Sequence, residues 1–188
     1  MLMKSKYLYG FCFCAAMICF GNSLFVYAKA KLAQILIANT WKNQLANNNT
    51  AKPWPWADTW PAAKMRLPKS ELTLYILAGA HGESLAFGPG LMQDGANFET
   101  AGTKLIAGHR DTHFSFLENV KAGERVSIQN RQGHWKTYAF RKSLVVNIND
   151  GPWQFDSNVD AIHFITCFPF DSNIPGGPLR LVAIAEPV

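Results

Sequence analysis

From residue 70 onward, hydrophobic positions fall in short runs rich in β-branched and aromatic residues. Clusters of glycine, asparagine and aspartate separate them. ELTLYILA (71–78), TKLIAGH (103–109), RVSIQN (125–130), HWKTYAFRKSLVVN (134–147), AIHFITCF (161–168) and RLVAIAEP (180–187) predict strands. LAFGPGLM (85–92) predicts a turn-rich passage, and SFLENVKAGERV (115–126) a short helical turn broken at Gly123. Many short strands with little helix predict an all-β domain, an antiparallel sandwich or barrel, over residues 70–188.

The pattern before residue 70 is different. Lys4 and Lys6 precede an uncharged, largely apolar run from Tyr7 to Ala28 with aromatics at both ends. Such a run is just long enough to cross a hydrocarbon core, so residues 1–28 predict an N-terminal transmembrane helix; the competing expectation is a cleaved signal peptide ending near Ala28. Residues 30–45 place Leu32, Ile35, Leu36 and Leu45 near helical spacing, which predicts either a continuation of the anchor helix or an interfacial amphipathic helix. ANNNTAK (46–52) reads as a flexible polar linker and closes the segment 29–52. Residues 53–69, with the run PWPWADTWP, form a Trp/Pro-rich arm, expected as extended chain packed on the outside of the domain or in contact with membrane or substrate.

Charge sharpens this division. Of 18 basic residues in the 188-residue chain, six lysines lie in residues 1–52, where there is no acid; the rest carries 12 basic against 13 acidic residues, a net charge of −1. The basicity belongs to the arm and suits anionic inner-membrane lipid, whereas the folded part lacks the clustered cations of a nucleic-acid-binding domain. No glycine-rich phosphate loop is present: GAHGES has no lysine or Ser/Thr at the required spacing.

The candidate chemistry centres on Cys167, the one cysteine of four outside the first twenty residues. Its possible intrachain partners, Cys12, Cys14 and Cys19, lie in the apolar run, so an exported domain would carry it unpaired in an oxidising compartment. A thiol nucleophile needs a proton acceptor or a nearby cation, and a donor for the oxyanion. His109 ends a strand after glycine in IAGHRDTH, and Arg180 heads the last apolar strand as a charged residue. His163, four residues before Cys167, would sit on the same strand face but roughly 13 Å away, too far for a hydrogen bond. Arg110, Asp111 and His113 are read as solvated residues of the loop after His109.

IAGHRDTHF and HFITCFPFD…GGPLRLVAIAEP together resemble the sortases, cysteine transpeptidases of bacterial surfaces. The family signature, a Gly-His at a strand end, a later Thr-Cys strand end and an Arg opening the last strand, falls on Gly108-His109, Thr166-Cys167 and Arg180. Phe164 stands where the family usually has Leu, a change of packing rather than chemistry. The PWPWADTWP arm with the N-terminal anchor resembles the Gram-negative, chiefly marine proteobacterial, group of sortases.

The resemblance implies a closed eight-stranded β-barrel and a catalytic set of Cys167, His109 and Arg180, with Thr166 lining the substrate pocket. It implies cleavage of an LPxTG-like C-terminal sorting signal on a substrate protein, a Cys167 thioester, and transfer to an amine acceptor. No metal or organic cofactor is implied. The expected location is the inner membrane, single-pass, with the catalytic domain extracytoplasmic, in the periplasm. Three alternatives remain at this level: a thiol peptidase transferring the acyl group to water, a zinc-binding module using His109, His113, His163 and Cys167, and a non-catalytic binding barrel.

Overall fold

The computed structural model describes residues 2–172 and 176–188, apart from the side chains of residues 2–8, 10, 14, 15, 18, 19, 23 and 83. It divides into two compact units, Met1–Leu36 and Ile37–Val188.

The larger unit is built on a closed barrel of eight strands: β1 (Pro61–Leu67), β2 (Leu72–Ala78), β3 (Gly90–Leu91), β4 (Lys104–Ala107), β5 (Arg125–Gln129), β6 (Trp135–Asn147), β7 (Ile162–Cys167) and β8 (Leu179–Pro187). The order around the barrel is β1-β2-β3-β4-β7-β8-β6-β5, closed by antiparallel pairing of β1 with β5. Two neighbouring pairs, β2 with β3 and β4 with β7, run parallel; the others are antiparallel. Closure leaves no free sheet edge. The alternation of side chains sends Met65, Ile76, Ile106, Val126, Phe140, Ile162, Phe164, Ala183 and Ala185 inward. Phe164 is fully buried between Phe114 and Phe140, at ring-centroid distances of 5.7 and 5.3 Å, so the aromatic at the usual leucine position fills the barrel's centre.

Two strands escape the hydropathy pattern. β1 lies inside the segment assigned to the Trp/Pro arm, so the barrel begins at residue 61 rather than 70. Pro61 is its first residue, where a missing N–H is tolerated, and two alanines follow, which carry little strand signal. β3 is only two residues long. The rest of the arm is ordered on the domain: the Trp54 ring meets Phe87 of helix α2 (Gly82–Phe87) edge-on at 5.1 Å, and Thr59 Oγ1 donates to the Ala78 carbonyl at 2.7 Å. Trp56 stays 82% exposed.

Helix α1 runs from Leu2 to Asn47. Within the larger unit its buried stripe is Ile37, Thr40, Trp41 and Gln44, while Leu45 is only half-buried. Trp41 lies against Tyr75 of β2 at 6.4 Å and donates its indole N–H to Gln129 of β5 at 3.4 Å. Gln44 Nε2 donates to the Ala51 carbonyl, and Arg131 to Thr50 Oγ1, so the polar stretch after the helix is bonded rather than loose.

The segment expected to span a membrane lies in the smaller unit. It is helical, but among the described residues no helix is long and apolar enough to cross a membrane. Gly21 and Asn22 lie within the run, and Lys29 and Lys31 follow it, over the rings of Phe25 and Tyr27. The side chains of Lys4, Lys6, Cys14 and Cys19, part of that expectation, lie outside the described residues.

Candidate active site

The parallel pairing of β4 with β7 sets the site. Ala107 stands opposite Ile165, and the ladder continues one step as Gly108 N–H donates to the Ile165 carbonyl at 3.1 Å. Two residues beyond that pair on each strand come His109 and Cys167, so register alone brings them to one rim of the barrel, about one strand spacing apart (~4.8 Å). Ile106, Ile162 and Phe164 point inward, and alternation therefore turns His109 and Cys167 to the outer face. On the other side β8 runs antiparallel to β7, and Arg180 is the direct cross-strand partner of Cys167. Cross-strand neighbours hold their Cβ atoms roughly 5 Å apart, within reach of a guanidinium.

His109 is exposed and Cys167 half-buried with a free thiol. Arg180 Nη1 donates to the carbonyls of Gly177 at 2.6 Å and Leu179 at 2.8 Å, which fixes the guanidinium at the strand mouth. Among the described residues no carboxylate lies within ion-pair distance of it. Arg180 also lines the groove beside the site, so its charge is available there.

Beside this trio runs a groove of about 860 Å³ on the outer face of the barrel. Its floor is Leu105, Ala107, Ile165 and Val182, with Arg180 among the lining residues; one wall is the chain after β6, including Pro152, Trp153 and Phe155. The floor residues are the outward-facing members of β4, β7 and β8, the same face that carries His109 and Cys167. An extended peptide in this groove would lie on an apolar floor leading toward the thiol.

The family model of the sortase domain matches residues 65–188, about two thirds of the chain. The chain belongs to the sortase family. Its sequence is 25% identical over 125 residues to Sortase D of Bacillus subtilis (strain 168), a match covering 66% of this chain and 62%, less than two thirds, of that relative. In structure it is similar to Sortase A from Corynebacterium diphtheriae, lid mutant, with TM-score 0.61, 23% identity, and 82% and 93% of the two chains covered. It is also similar to a Clostridium perfringens Sortase D5 transpeptidase, with TM-score 0.60, 17% identity, and 80% and 88% covered. At these identities the structural likeness speaks for the fold.

Three details of this sortase depart from the sequence reading. Thr166, expected to line the substrate pocket, is 2% exposed and points into the barrel, opposite to Cys167. Its hydroxyl donates to the Gly108 carbonyl at 2.7 Å. Adjacent strand residues point to opposite faces, and the Thr166 bond ties the residue before His109 to the residue before Cys167. Arg110, read as a solvated loop residue, sends Nη1 to the Pro169 carbonyl at 2.8 Å and Nη2 to the Ser172 carbonyl. It clips the loop after His109 to the chain after Cys167. Nothing in a linear sequence marks a bond between an arginine and main-chain carbonyls about sixty residues away.

The third is His113. Burial, and secondarily the nearby charge of His109, hold its imidazole below the ordinary range, while Asp111 opposes the shift. His113 therefore stays neutral more readily than a solvated histidine. The zinc alternative finds no support in this geometry: no group of three or more potential ligands gathers among the described residues, and His163 is engaged with Trp153.

Gly108 has a steric reason to be glycine. A Cβ there would meet the Phe114 ring at 2.8–3.0 Å, and Phe114 is fully buried with its N–H bonded to the His109 carbonyl. Gly108→Ala is expected to destabilise the barrel by about 1–3 kcal/mol through this overpacking. Thermal unfolding checks it, with lost peptidase activity beyond the fraction unfolded as the sign that His109 has moved.

Proposed function

We propose that the barrel is a membrane-associated cysteine transpeptidase that cuts an LPxTG-like sorting signal and transfers the new C-terminus to an amine. The observation that carries this reading is the convergence of Cys167, His109 and Arg180 on one rim beside the apolar groove. The Cys167 thiolate attacks the carbonyl carbon of the scissile Thr–Gly bond. Arg180 donates N–H bonds to the oxyanion, an interaction whose loss typically costs on the order of 3 kcal/mol. As the C–N bond breaks, His109 in its imidazolium form gives a proton to the leaving amine, and the acyl group remains on sulfur as a thioester. An incoming amine then attacks the thioester and loses its proton to His109, and the C–S bond breaks to return the thiolate.

The reading puts the protein at the inner-membrane lipid with the barrel outside the cytoplasm, and the smaller unit favours the lipid contact. Its helix leaves Phe11, Phe13, Phe20 and Phe25 more than 60% exposed, a surface suited to a lipid interface. Substrate and enzyme held at one bilayer would meet at high effective concentration.

The competing reading, a thiol peptidase, shares the acyl-enzyme and differs only in the acceptor. Mass analysis of the product of a signal peptide, with and without added amine, separates them. The transpeptidase is expected to yield the amine-capped peptide as the main product, whereas free carboxylate alone at saturating amine would make the protein a hydrolase.

A further inference from the structure

His163 sits on β7 four residues before Cys167, on the same outer face, and it plays no part in the chemistry above. It is 7% exposed, and its Nδ1 lies 3.0 Å from the indole Nε1 of Trp153. An indole nitrogen only donates, so His163 Nδ1 must accept, which requires an imidazole with a lone pair there. Trp153 and Phe155 also pack on its ring edge-on, at 5.8 and 6.2 Å. Both aromatics belong to the chain between β6 and β7 that forms one wall of the groove. Residues 151–161 carry no helix or strand, so this wall depends on side chains for its position.

We propose that His163 is a positioning residue for substrate binding: by accepting the Trp153 indole N–H it holds the wall of the groove over its floor, and protonation of the imidazole releases that wall. The inference rests on the transpeptidase reading for its effect on substrate.

The electrostatic surroundings favour the accepting form. His163 stands opposite Leu105 on β4 and Ile184 on β8, and Ile184 in turn pairs with Lys142 on β6, so these residues form one row across the sheet. The charged group acting on the ring is Lys142; among the described residues no carboxylate pairs with it. Asp160, on the chain leading into β7, is engaged by Lys104 and Lys136. Burial first, and Lys142 second, push the His163 imidazole below the ordinary range. For a histidine whose value is lowered in the closed state, the hold is complete above the ordinary imidazole range near 6.5 and weakens as pH falls below it. Protonation puts a second donor against the indole N–H, so the bond is replaced by a donor–donor contact.

The test is the pH dependence of KM for a signal peptide, from about pH 5 to pH 8, in the wild type and three variants. His163→Asn keeps an acceptor where Nδ1 was and does not titrate. His163→Phe keeps a ring and removes the acceptor, and Trp153→Phe removes the donor. Relative to His163→Asn, the wild-type KM is expected to be equal near neutrality and about three- to tenfold higher at the acid end, the size of one lost hydrogen bond. The kcat ratio should stay constant, while His163→Phe and Trp153→Phe raise KM by a similar factor at every pH. Identical KM profiles in wild type and His163→Asn would overturn the proposal. The Trp153 indole N–H resonance, assigned by its loss in Trp153→Phe, gives a readout independent of turnover. It should titrate in the wild type and not in His163→Asn; a wild-type resonance that ignores pH also overturns the hold. Absent turnover with an intact indole titration would overturn the transpeptidase reading while the hold itself stands.

Discussion

Cys167→Ala is expected to lose cleavage of an LPxTG-like peptide by at least ~10⁴-fold, because the proposed mechanism puts the acyl chain on the Cys167 sulfur. The structure separates this loss from misfolding. Cys167 is the last residue of β7, half-buried on the outer face, and it contributes nothing to the aromatic cluster inside the barrel. The variant should therefore unfold within a few tenths of a kcal/mol of the wild type. Its ladder bonds are main-chain, including the Phe168 N–H to the Leu179 carbonyl at 3.1 Å, and alanine keeps them. Peptide turnover and thermal unfolding on one preparation check both halves. Residual activity above a thousandth of wild type would show that another residue is the nucleophile.

His109→Ala is expected to lower kcat by about 10²- to 10⁴-fold, the worth of a positioned proton donor. His109 is exposed, so its removal leaves no cavity, and the Phe114 N–H bond is to its backbone and survives. The variant also has a signature outside catalysis. The charge of His109 is the second cause of the lowered value at His113, after burial. Removing His109 should thus move the His113 titration upward, though not to the solvated value, because burial remains. A downward or unchanged His113 titration by NMR would mean that the two rings are not electrostatic neighbours. Small added imidazole bases that restore part of the lost rate would point to the missing proton carrier rather than to a displaced strand.

The sequence marked the three groups of this site through the order Gly-His, Thr-Cys, Arg, and their convergence follows from two registers: Ala107 with Ile165, and Cys167 with Arg180. Register is a property of pairing and was not visible in any single run of residues. Thr166 went to the pocket in the sequence reading because it adjoins the cysteine, yet the period of two along β7 already forbade it. With Ile162 and Phe164 inward, Thr166 must follow them and Cys167 must not.

Elsewhere the misses have local causes. β1 was hidden because a proline and two alanines open it, and its identity comes from the strands on either side. The stripe by which α1 meets the barrel, Ile37, Thr40, Trp41 and Gln44, is half polar, so the apolar spacing of Leu32, Ile35, Leu36 and Leu45 does not mark it; Leu32 and Ile35 remain exposed and Leu36 and Leu45 half-buried. Arg110 acts through bonds to the Pro169 and Ser172 carbonyls, and Trp153 through its bond to His163, partners that no spacing rule connects. The apolar N-terminal run is helical, and among the described residues no helix is long and apolar enough to cross a membrane.

The acyl-enzyme is the step on which everything else depends. Intact-mass measurement of the protein mixed with a signal peptide, in the absence of added amine and quenched early, observes it directly. The wild type should gain the mass of the peptide fragment N-terminal to the scissile bond, on a hydroxylamine-labile linkage that peptide mapping places at Cys167, and Cys167→Ala should gain nothing. Peptide cleavage by the wild type with no such adduct at any quench time, and with cleavage undiminished in Cys167→Ala, would contradict it.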